Sequence, residues 1–230
     1  MWPDNREELL LLQNRLGAAD FEPWDPQEPV RLIGGCFVCY PKKHPGKGAA
    51  GDRYWAAAAC TRDTRIAALE VVRGETAALY EPGLLALREG PLLESAVRRL
   101  PEMPEVLLVN ATGRDHPRRA GLALHLGFNL SLPTIGVTRN PLQAGGDWPE
   151  DLSGAAAPLR IDGETVGYWL RVRKGAQPLV VHAAWRTSPE TALRIVRGLT
   201  QRWRTPEPLR QARRAAREAR ARDLRLTTDD

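Results

Sequence analysis

The run VRLIGGCFVCY, Val30 to Tyr40, decides the fold that this sequence predicts. It is uncharged and apolar after Arg31, which is typical of a buried β-strand. Two further strand-like runs follow, Tyr54 to Thr61 and Thr64 to Arg73, and only two residues separate the second run from the third. Consecutive strands with short links pair antiparallel, so we expect three antiparallel strands at the start of the sheet.

After these strands the pattern changes to alternating helices and short strands. Pro82 to Leu100 and Arg118 to Phe128 have helical spacing, while Glu105 to Val109 and Thr134 to Val137 suit buried parallel strands. Further expected elements are a hairpin at Asp162–Gly163, a strand from Pro178 to Ala184, and helices beginning near Ser188 and Pro208. This order predicts an α/β fold with a ribonuclease H-like mixed β-sheet flanked by helices.

The composition limits the class of protein. The chain has 230 residues, enough for one sizeable core, and no run of about 18 apolar residues that would predict a membrane span. The first residues are acidic ahead of a short leucine run, unlike a secretory signal. Three cysteines, an odd number, do not suggest a disulfide framework. We therefore expect a cytoplasmic protein with no membrane contact.

Cys36 and Cys39 form a C-x-x-C pattern within the opening run. Residues three apart on a strand face opposite sides of the sheet, so these two cannot easily hold one metal ion. We expect them to be small buried thiols.

Positive charge is concentrated near the C-terminus. The formal net charge is +5, and ten arginines with only two acids lie between Arg194 and Arg222. A basic helix can bind phosphates, and a solvated helix face is the alternative explanation. We expect a single domain over residues 1–215 and a basic helix end or tail over 216–230, which could also dock a protein partner.

Five fragments together resemble the endonuclease V family, in the family's order and spacing over roughly residues 5 to 215. They are YEPGLLALREGP (Tyr80–Pro91), HPRRAGLALHLG (His116–Gly127), LPTIGV (Leu132–Val137), APLR (Ala157–Arg160) and TPEPLR (Thr205–Arg210). The resemblance implies a ribonuclease H-like fold and a nuclease that acts beside inosine, using Mg²⁺ held by carboxylates.

At the positions where the resemblance places catalytic groups, this sequence departs from the family. Phe37 and Asn110 stand for two metal-binding aspartates, Trp185 for a histidine and Arg139 for a lysine, and Glu89 is the one acid retained. Phenylalanine cannot ligate a metal, asparagine offers one neutral carbonyl oxygen, and tryptophan has no acceptor. We therefore expect no cofactor, with Glu89 at most as a ligand and Mg²⁺ only if a metal site has been rebuilt.

The resemblance also implies substrate contacts. Leu79-Tyr80-Glu81-Pro82 corresponds to the family's P-Y-I-P wedge, which opens the duplex so that the altered base enters a pocket. The predicted substrate-binding residues are Tyr80, Pro82, Gly83, Leu85, Ala111, Gly113, His116, Gly121 and Leu142. Glycines allow close approach to a ligand, and an apolar pocket with backbone donors suits a purine. The structural alternatives are a surface anchor for Tyr80 and a helix-entry residue for His116.

Three hypotheses about function follow. In the first, the chain is a catalytically inactive endonuclease V relative (a pseudo-nuclease) that still binds DNA or RNA containing inosine, as a monomer. In the second, it is an active endonuclease with a relocated metal site, for which Asp52, Asp115 and Asp147 are candidate ligands by residue type. His182 lies three residues before Trp185, an odd offset, so on a strand it faces the opposite side. In the third, the scaffold has become a protein-interaction module or serves small-molecule chemistry.

Overall fold

The computed structural model describes residues 2–24, 26, 29–41, 48–63, 65–200 and 203–226. The helices are α1 (Arg6–Ala18), α2 (Leu85–Arg98), α3 (Leu122–Leu130), α4 (Pro189–Leu199) and α5 (Glu207–Leu226). The strands are β1 (Leu32–Cys39), β2 (Arg53–Arg62), β3 (Arg65–Glu75), β4 (Val106–Val109), β5 (Thr134–Thr138), β6 (Ala156–Ile161), β7 (Glu164–Leu170) and β8 (Leu179–Ala183). The predicted order of elements is confirmed.

All eight strands form one mixed sheet in the order β3-β2-β1-β4-β5-β8-β7-β6. The first three strands pair antiparallel, as predicted, and β4 and β5 continue the sheet parallel to β1. The β6–β7 hairpin turns at Asp162 and Gly163, which have φ values of 52° and 82°. Positive φ at both central residues is what a tight two-residue hairpin requires. The fold is therefore the predicted α/β fold with helices flanking a mixed sheet.

Helices cover both faces of the sheet. Helices α2 and α3 pack on one face, where Cys36 lies in the apolar core, and α5 packs on the other face, where Cys39 lies. All three cysteines are buried free thiols, and Cys36 and Cys39 lie on opposite faces, as predicted. Within the described residues, no helix combines the length and apolar character that crossing a bilayer requires.

Helix α5 lies close to the sheet because small residues meet along the contact. Four buried alanines of the helix pack with the buried Ala57 and Ala59 of β2; the four are Ala212, Ala215, Ala216 and Ala219. Near the start of the helix, a Cβ added to Gly35 of β1 would lie 2.5 Å from the backbone nitrogen of Leu209. The helix continues without a break through residue 215, and the predicted division at 215/216 remains a prediction.

The carboxyl ends of β1 and β4 lie side by side and position the candidate site. These strands are parallel, and Cys36 is the partner of Val109 in their register. The next residues, Phe37 and Asn110, are therefore neighbours on the face of the sheet that α5 covers. In open α/β sheets, ligands bind in the crevice at the carboxyl ends of the parallel strands.

Candidate functional site

A narrow cleft of about 70 Å³ lies beyond the carboxyl ends of β4 and β5. Its lining combines the ends of these strands with the segment that leads into α5 and the first turns of that helix. The lining residues are Asn110, Val137, Thr138, Arg139, Leu179, Arg204, Thr205, Leu209 and Arg213. Two of the five predicted catalytic positions, Asn110 and Arg139, thus meet in one cleft.

Two arginines of α5 lie over the aromatic ring of Phe37. The guanidinium carbons of Arg213 and Arg217 lie 5.1 Å and 5.8 Å from the centroid of the Phe37 ring. Arginine is attracted to the face of an aromatic ring at this range. The position that the resemblance assigns to a metal-binding carboxylate is therefore occupied by an aromatic ring that is covered by cations.

The cations of the cleft lie close enough to repel one another. Burial lowers the pKa of Arg204, and the charge of Arg139 lowers it further. Burial also lowers the pKa of Arg213, and Arg217 and Arg139 add to the shift. None of the described residues that line the cleft is an acid. The cleft is thus strongly electropositive.

Asp115 and His182 lie beside the cleft and are both completely buried. They position the backbone next to it. The Asp115 carboxylate accepts backbone N–H bonds of 2.7–2.8 Å from Leu142, Gln143 and Ala144. Nδ1 of His182 lies 3.5 Å from Asp115 Oδ2. Burial lowers the pKa of His182, and the charge of Asp115 opposes that shift. These contacts fix the loop that follows β5.

Thr138 connects these two residues to the cleft. Its Oγ1 lies 2.7 Å from Nε2 of His182 and donates a hydrogen bond of 2.8 Å to the Asn140 carbonyl oxygen. The contacts of Thr138 fix the turn at the end of β5, and this turn carries Arg139 into the cleft.

Glu89, the retained acid, lies on the α2 side of β1. Its carboxylate accepts a hydrogen bond of 3.3 Å from the Tyr40 hydroxyl, and its charge contributes to raising the pKa of Cys36, which faces α2. Burial raises the pKa of Glu89 to about 7. Phe37 faces α5, so the sheet separates these two predicted positions, and Glu89 is not part of the cleft lining.

Trp185 lies at the opposite end of the sheet. Strand β8 runs antiparallel to β5, so Ala183 pairs with Ile135 at the amino end of β5, away from the cleft. The Trp185 ring packs on Phe21 and Phe128, with ring centroids 4.2 Å and 5.2 Å apart. The structure therefore places Trp185 in an aromatic cluster and not with Phe37 and Asn110.

His116 and Gly83 are brought together by a hydrogen-bond network. Nδ1 of His116 accepts the Arg118 backbone N–H, so Nε2 carries the hydrogen and donates to the Gly83 carbonyl oxygen at 3.1 Å. Gln13 and Arg118 donate to the same oxygen. Burial lowers the pKa of His116 to about 4. His116 is thus a neutral residue that holds the turn before α2, where Gly83 has φ 78°.

The other predicted substrate contacts fall into an exposed and a packed group. Tyr80 and Leu142 are 39% and 52% exposed, and Pro82 is exposed beside Tyr80, with Leu85 partly buried at the start of α2. The packed group is Ala111, Gly113 and Gly121. The Gly121 N–H donates to the Gly113 carbonyl oxygen at 2.8 Å. Only the exposed group offers side-chain surface to a ligand.

Sequence reasoning missed Arg204, Arg213 and Arg217 as site residues. The high arginine content of this region indicated phosphate binding, but it did not indicate which arginines face β1. The helical spacing of the buried alanines in α5 was the available signal, because it defines the face that packs on the sheet and the cations at its border.

The residues around Phe37 and Asn110 do not fit Mg²⁺, the metal that the family resemblance implies. Mg²⁺ requires oxygen ligands and is usually held by one or two carboxylates with substrate phosphates. Around the cleft, the described side chains offer one amide oxygen and two hydroxyl oxygens among three guanidinium cations, and no carboxylate. Among the described residues, no group of three histidines, cysteines or acids is placed to hold a metal ion.

The mixed sheet and its flanking helices define the class of protein: a ribonuclease H-like fold of the kind found in endonuclease V structures. The crystal structure of endonuclease V from Streptomyces avermitilis matches with a TM-score of 0.84 at 34% identity, covering 97% of this chain and 96% of that chain. Endonuclease V of Roseiflexus castenholzii is 35% identical over 213 residues, which cover 92% of this chain and 91% of that protein.

A third match adds to the support for the fold. The structure of Ciona intestinalis endonuclease V, in complex with a 24mer DNA containing an inosine followed by a ribo-adenosine, has a TM-score of 0.76 at 20% identity. It covers 94% of this chain and 97% of that chain. The endonuclease V family model matches residues 17–214. This chain belongs to the endonuclease V family.

Proposed function

We propose that this chain binds nucleic acid containing inosine and does not cleave it by the Mg²⁺-dependent chemistry implied by the family resemblance. One observation carries the proposal: Arg213 and Arg217 cover the Phe37 ring, and Phe37 and Asn110 directly follow the paired residues Cys36 and Val109. A phenyl ring supplies no metal ligand, and nearby guanidinium groups repel a divalent cation.

Retained binding is supported by the surface around the turn before α2 and by the family. Tyr80 is partly exposed there, and an aromatic side chain can stack on a base. Leu142, exposed on the loop held by Asp115, offers apolar surface. The Ciona relative holds DNA containing an inosine, which makes this base the first ligand to test.

A relocated metal site is the second hypothesis, and the contacts of the candidate ligands weigh against it. Asp52 pairs with Arg88 at 2.5 Å, and the Asp115 oxygens already accept three backbone N–H bonds. Asp147 is exposed, and His182 is bonded to Thr138. Asp52 and Asp115 therefore have structural partners, and among the described residues no cluster of acids or histidines joins Asp147 in a metal site.

The interaction-module hypothesis receives less support from α5 than its sequence suggested. The alanine face of this helix is buried against the sheet, so it is not available as an apolar docking surface. A partner would have to recognise the arginine side of the helix, and nucleic acid is a chemically simpler ligand for that charge.

The test uses labelled oligonucleotides that contain one inosine, as single-stranded DNA, duplex DNA and RNA, with matched adenine controls. Binding is measured by fluorescence anisotropy in EDTA, and cleavage is measured by gel electrophoresis after Mg²⁺ or Mn²⁺ is added. We expect tighter binding of the inosine probes and no cleavage. An active endonuclease V serves as the positive control for the cleavage assay.

Two outcomes would contradict the proposal. Equal or absent binding of inosine and adenine probes at low salt would remove the recognition part. Cleavage by the wild-type chain that is lost in Glu89→Ala would establish a working metal site and support the relocated-site hypothesis.

We also propose that the protein resides in the cytoplasm. The support is that Cys36, Cys39 and Cys60 are unpaired thiols, which suits a reducing compartment. Fractionation of the native host with compartment markers tests this, and recovery outside the cytoplasmic fraction would contradict it.

A further inference from the structure

We propose that the cleft between Asn110, Arg139, Arg204 and Arg213 binds a phosphate group directly, with no metal ion. The inference deepens the proposed function, and its nucleic-acid part rests on that function. In chemical terms, a site for an anion occupies the place where the family resemblance implies a site for a cation.

The cleft carries three positive charges that lack a counter-ion among its described lining residues. Arg139, Arg204 and Arg213 line it, and no acid is among the described lining residues. Arg139 and Arg213 make no ion pair with any described residue. Like charges brought together without a counter-ion repel one another, and a bound anion would relieve that repulsion.

Two of the three cations are held in place by side-chain contacts. The Phe37 ring lies against Arg213, and Arg204 donates a hydrogen bond of 2.8 Å to the Pro178 carbonyl oxygen. The turn fixed by Thr138 carries Arg139. A guanidinium whose position is fixed before binding loses less entropy when it binds a phosphate, and its planar fork matches two phosphate oxygens.

The small volume of the cleft limits the size of its ligand. A cleft of about 70 Å³ is far smaller than the roughly 300–1,000 Å³ of typical small-molecule sites. It therefore suits a compact tetrahedral group and not a whole nucleoside. Asn110 is exposed at the border of the cleft, and its amide can donate to an oxygen of that group.

The phosphate could belong to a nucleic-acid backbone or to a free phosphate compound, and two arms of one experiment distinguish these sources. Both arms use the full chain in EDTA. The variants are Arg213→Gln and Arg139→Gln, and the matched control is Arg214→Gln. Arg214 is the neighbour of Arg213 on α5, but it is exposed and lies 3.7 Å from the Glu218 carboxylate. Arg139 is exposed, so replacing it does not disturb the core.

In the first arm, thermal unfolding is followed with inorganic phosphate and with chloride at equal ionic strength. Phosphate raises the Tm of many proteins by exclusion from their surface, so the comparison between variants carries the result. We expect a larger rise for the wild type and Arg214→Gln than for Arg213→Gln and Arg139→Gln.

In the second arm, anisotropy of a labelled single-stranded oligonucleotide containing inosine is measured over a range of salt concentrations. Removing one phosphate contact lowers the slope of log K against log salt by about 0.7 for single strands. We expect this loss in Arg213→Gln and Arg139→Gln, equally for inosine and adenine probes, and not in Arg214→Gln.

Each outcome supports or overturns the site. The site is supported if Arg213→Gln and Arg139→Gln, but not Arg214→Gln, reduce the phosphate-dependent rise in Tm or the salt slope of oligonucleotide binding. The measurement that changes identifies the source of the phosphate. If the two variants reduce the phosphate-dependent rise in Tm but neither they nor the wild type binds nucleic acid, the phosphate site is supported and the proposed function is rejected. If all three variants behave alike in both arms, the site is rejected, while the proposed function stands wherever inosine probes still bind preferentially.

Discussion

The guanidinium carbon of Arg213 lies 5.1 Å from the centroid of the Phe37 ring, which joins the first turns of the last helix to the end of the first strand. This contact fills the position at which the family resemblance places a metal-binding aspartate. It also means that replacing Phe37 changes the surroundings of two arginines, since Arg217 lies over the same ring.

Restoring metal binding should therefore require three changes. In Phe37→Asp with Asn110→Asp, the new carboxylate at position 37 would pair with Arg213 and Arg217 instead of holding Mg²⁺. Adding Arg213→Gln removes one of these cations, so the triple variant should bind Mg²⁺ more tightly than the double variant by calorimetry. Equal binding by the double and triple variants would show that Arg213 does not compete for the carboxylates.

The pKa of Glu89 should make stability depend on pH. Burial raises this pKa from 4.5 to about 7, so between these values the folded state holds a proton that the unfolded state has released. Stability from this group is present below pH 4.5 and is lost as the pH rises to about 7. Glu89→Gln should remove this loss, so its stability relative to the wild type should be greater at pH 8 than at pH 4.5 by roughly 1–3 kcal/mol.

Urea unfolding at the two pH values checks this prediction, with the exposed Glu150→Gln as control. The pH dependence should persist in the control. If it also persists in Glu89→Gln, another group is responsible for it.

Asp115 should be important for stability and for the loop after β5. Asp115→Asn places an amide nitrogen among three backbone N–H donors in a site with no exposure to solvent. We expect a loss of about 2–4 kcal/mol in the free energy of unfolding, measured with urea. Asp147 is exposed, so Asp147→Asn should change this free energy little, and comparable losses in the two variants would argue against this explanation.

The close contact between α5 and the sheet should not tolerate larger side chains. Ala216 is fully buried in this contact, so Ala216→Leu should overpack it and cost about 1–3 kcal/mol by thermal or urea unfolding. Ala221→Leu, at an exposed position of the same helix, is the matched control because its helix propensity changes by the same amount. A stability equal to that control would mean that the contact can open at little cost.

The sequence was sufficient for the order of elements and for the family, because both depend on local pattern. Uncharged apolar runs indicated the strands, and the Asp162–Gly163 pair indicated the hairpin. It could not place Arg213 over Phe37 or His182 beside Asp115, since these pairs form only when distant segments pack. Trp185 illustrates the same limit: its place in the chain suggested a site residue, but the antiparallel direction of β8 carries it to the other end of the sheet.

Helix α5 contributes both to the core and to the cleft, since its alanines pack on the sheet while Arg213 lines the cleft. Ligand binding in the cleft and folding of α5 onto the sheet are therefore linked equilibria. A ligand that binds only when this helix is folded stabilises the helix by mass action. Backbone amides of α5 should then exchange with deuterium more slowly when the cleft is filled. The final helix would thus report, through its own protection from exchange, whether the protein is carrying a ligand.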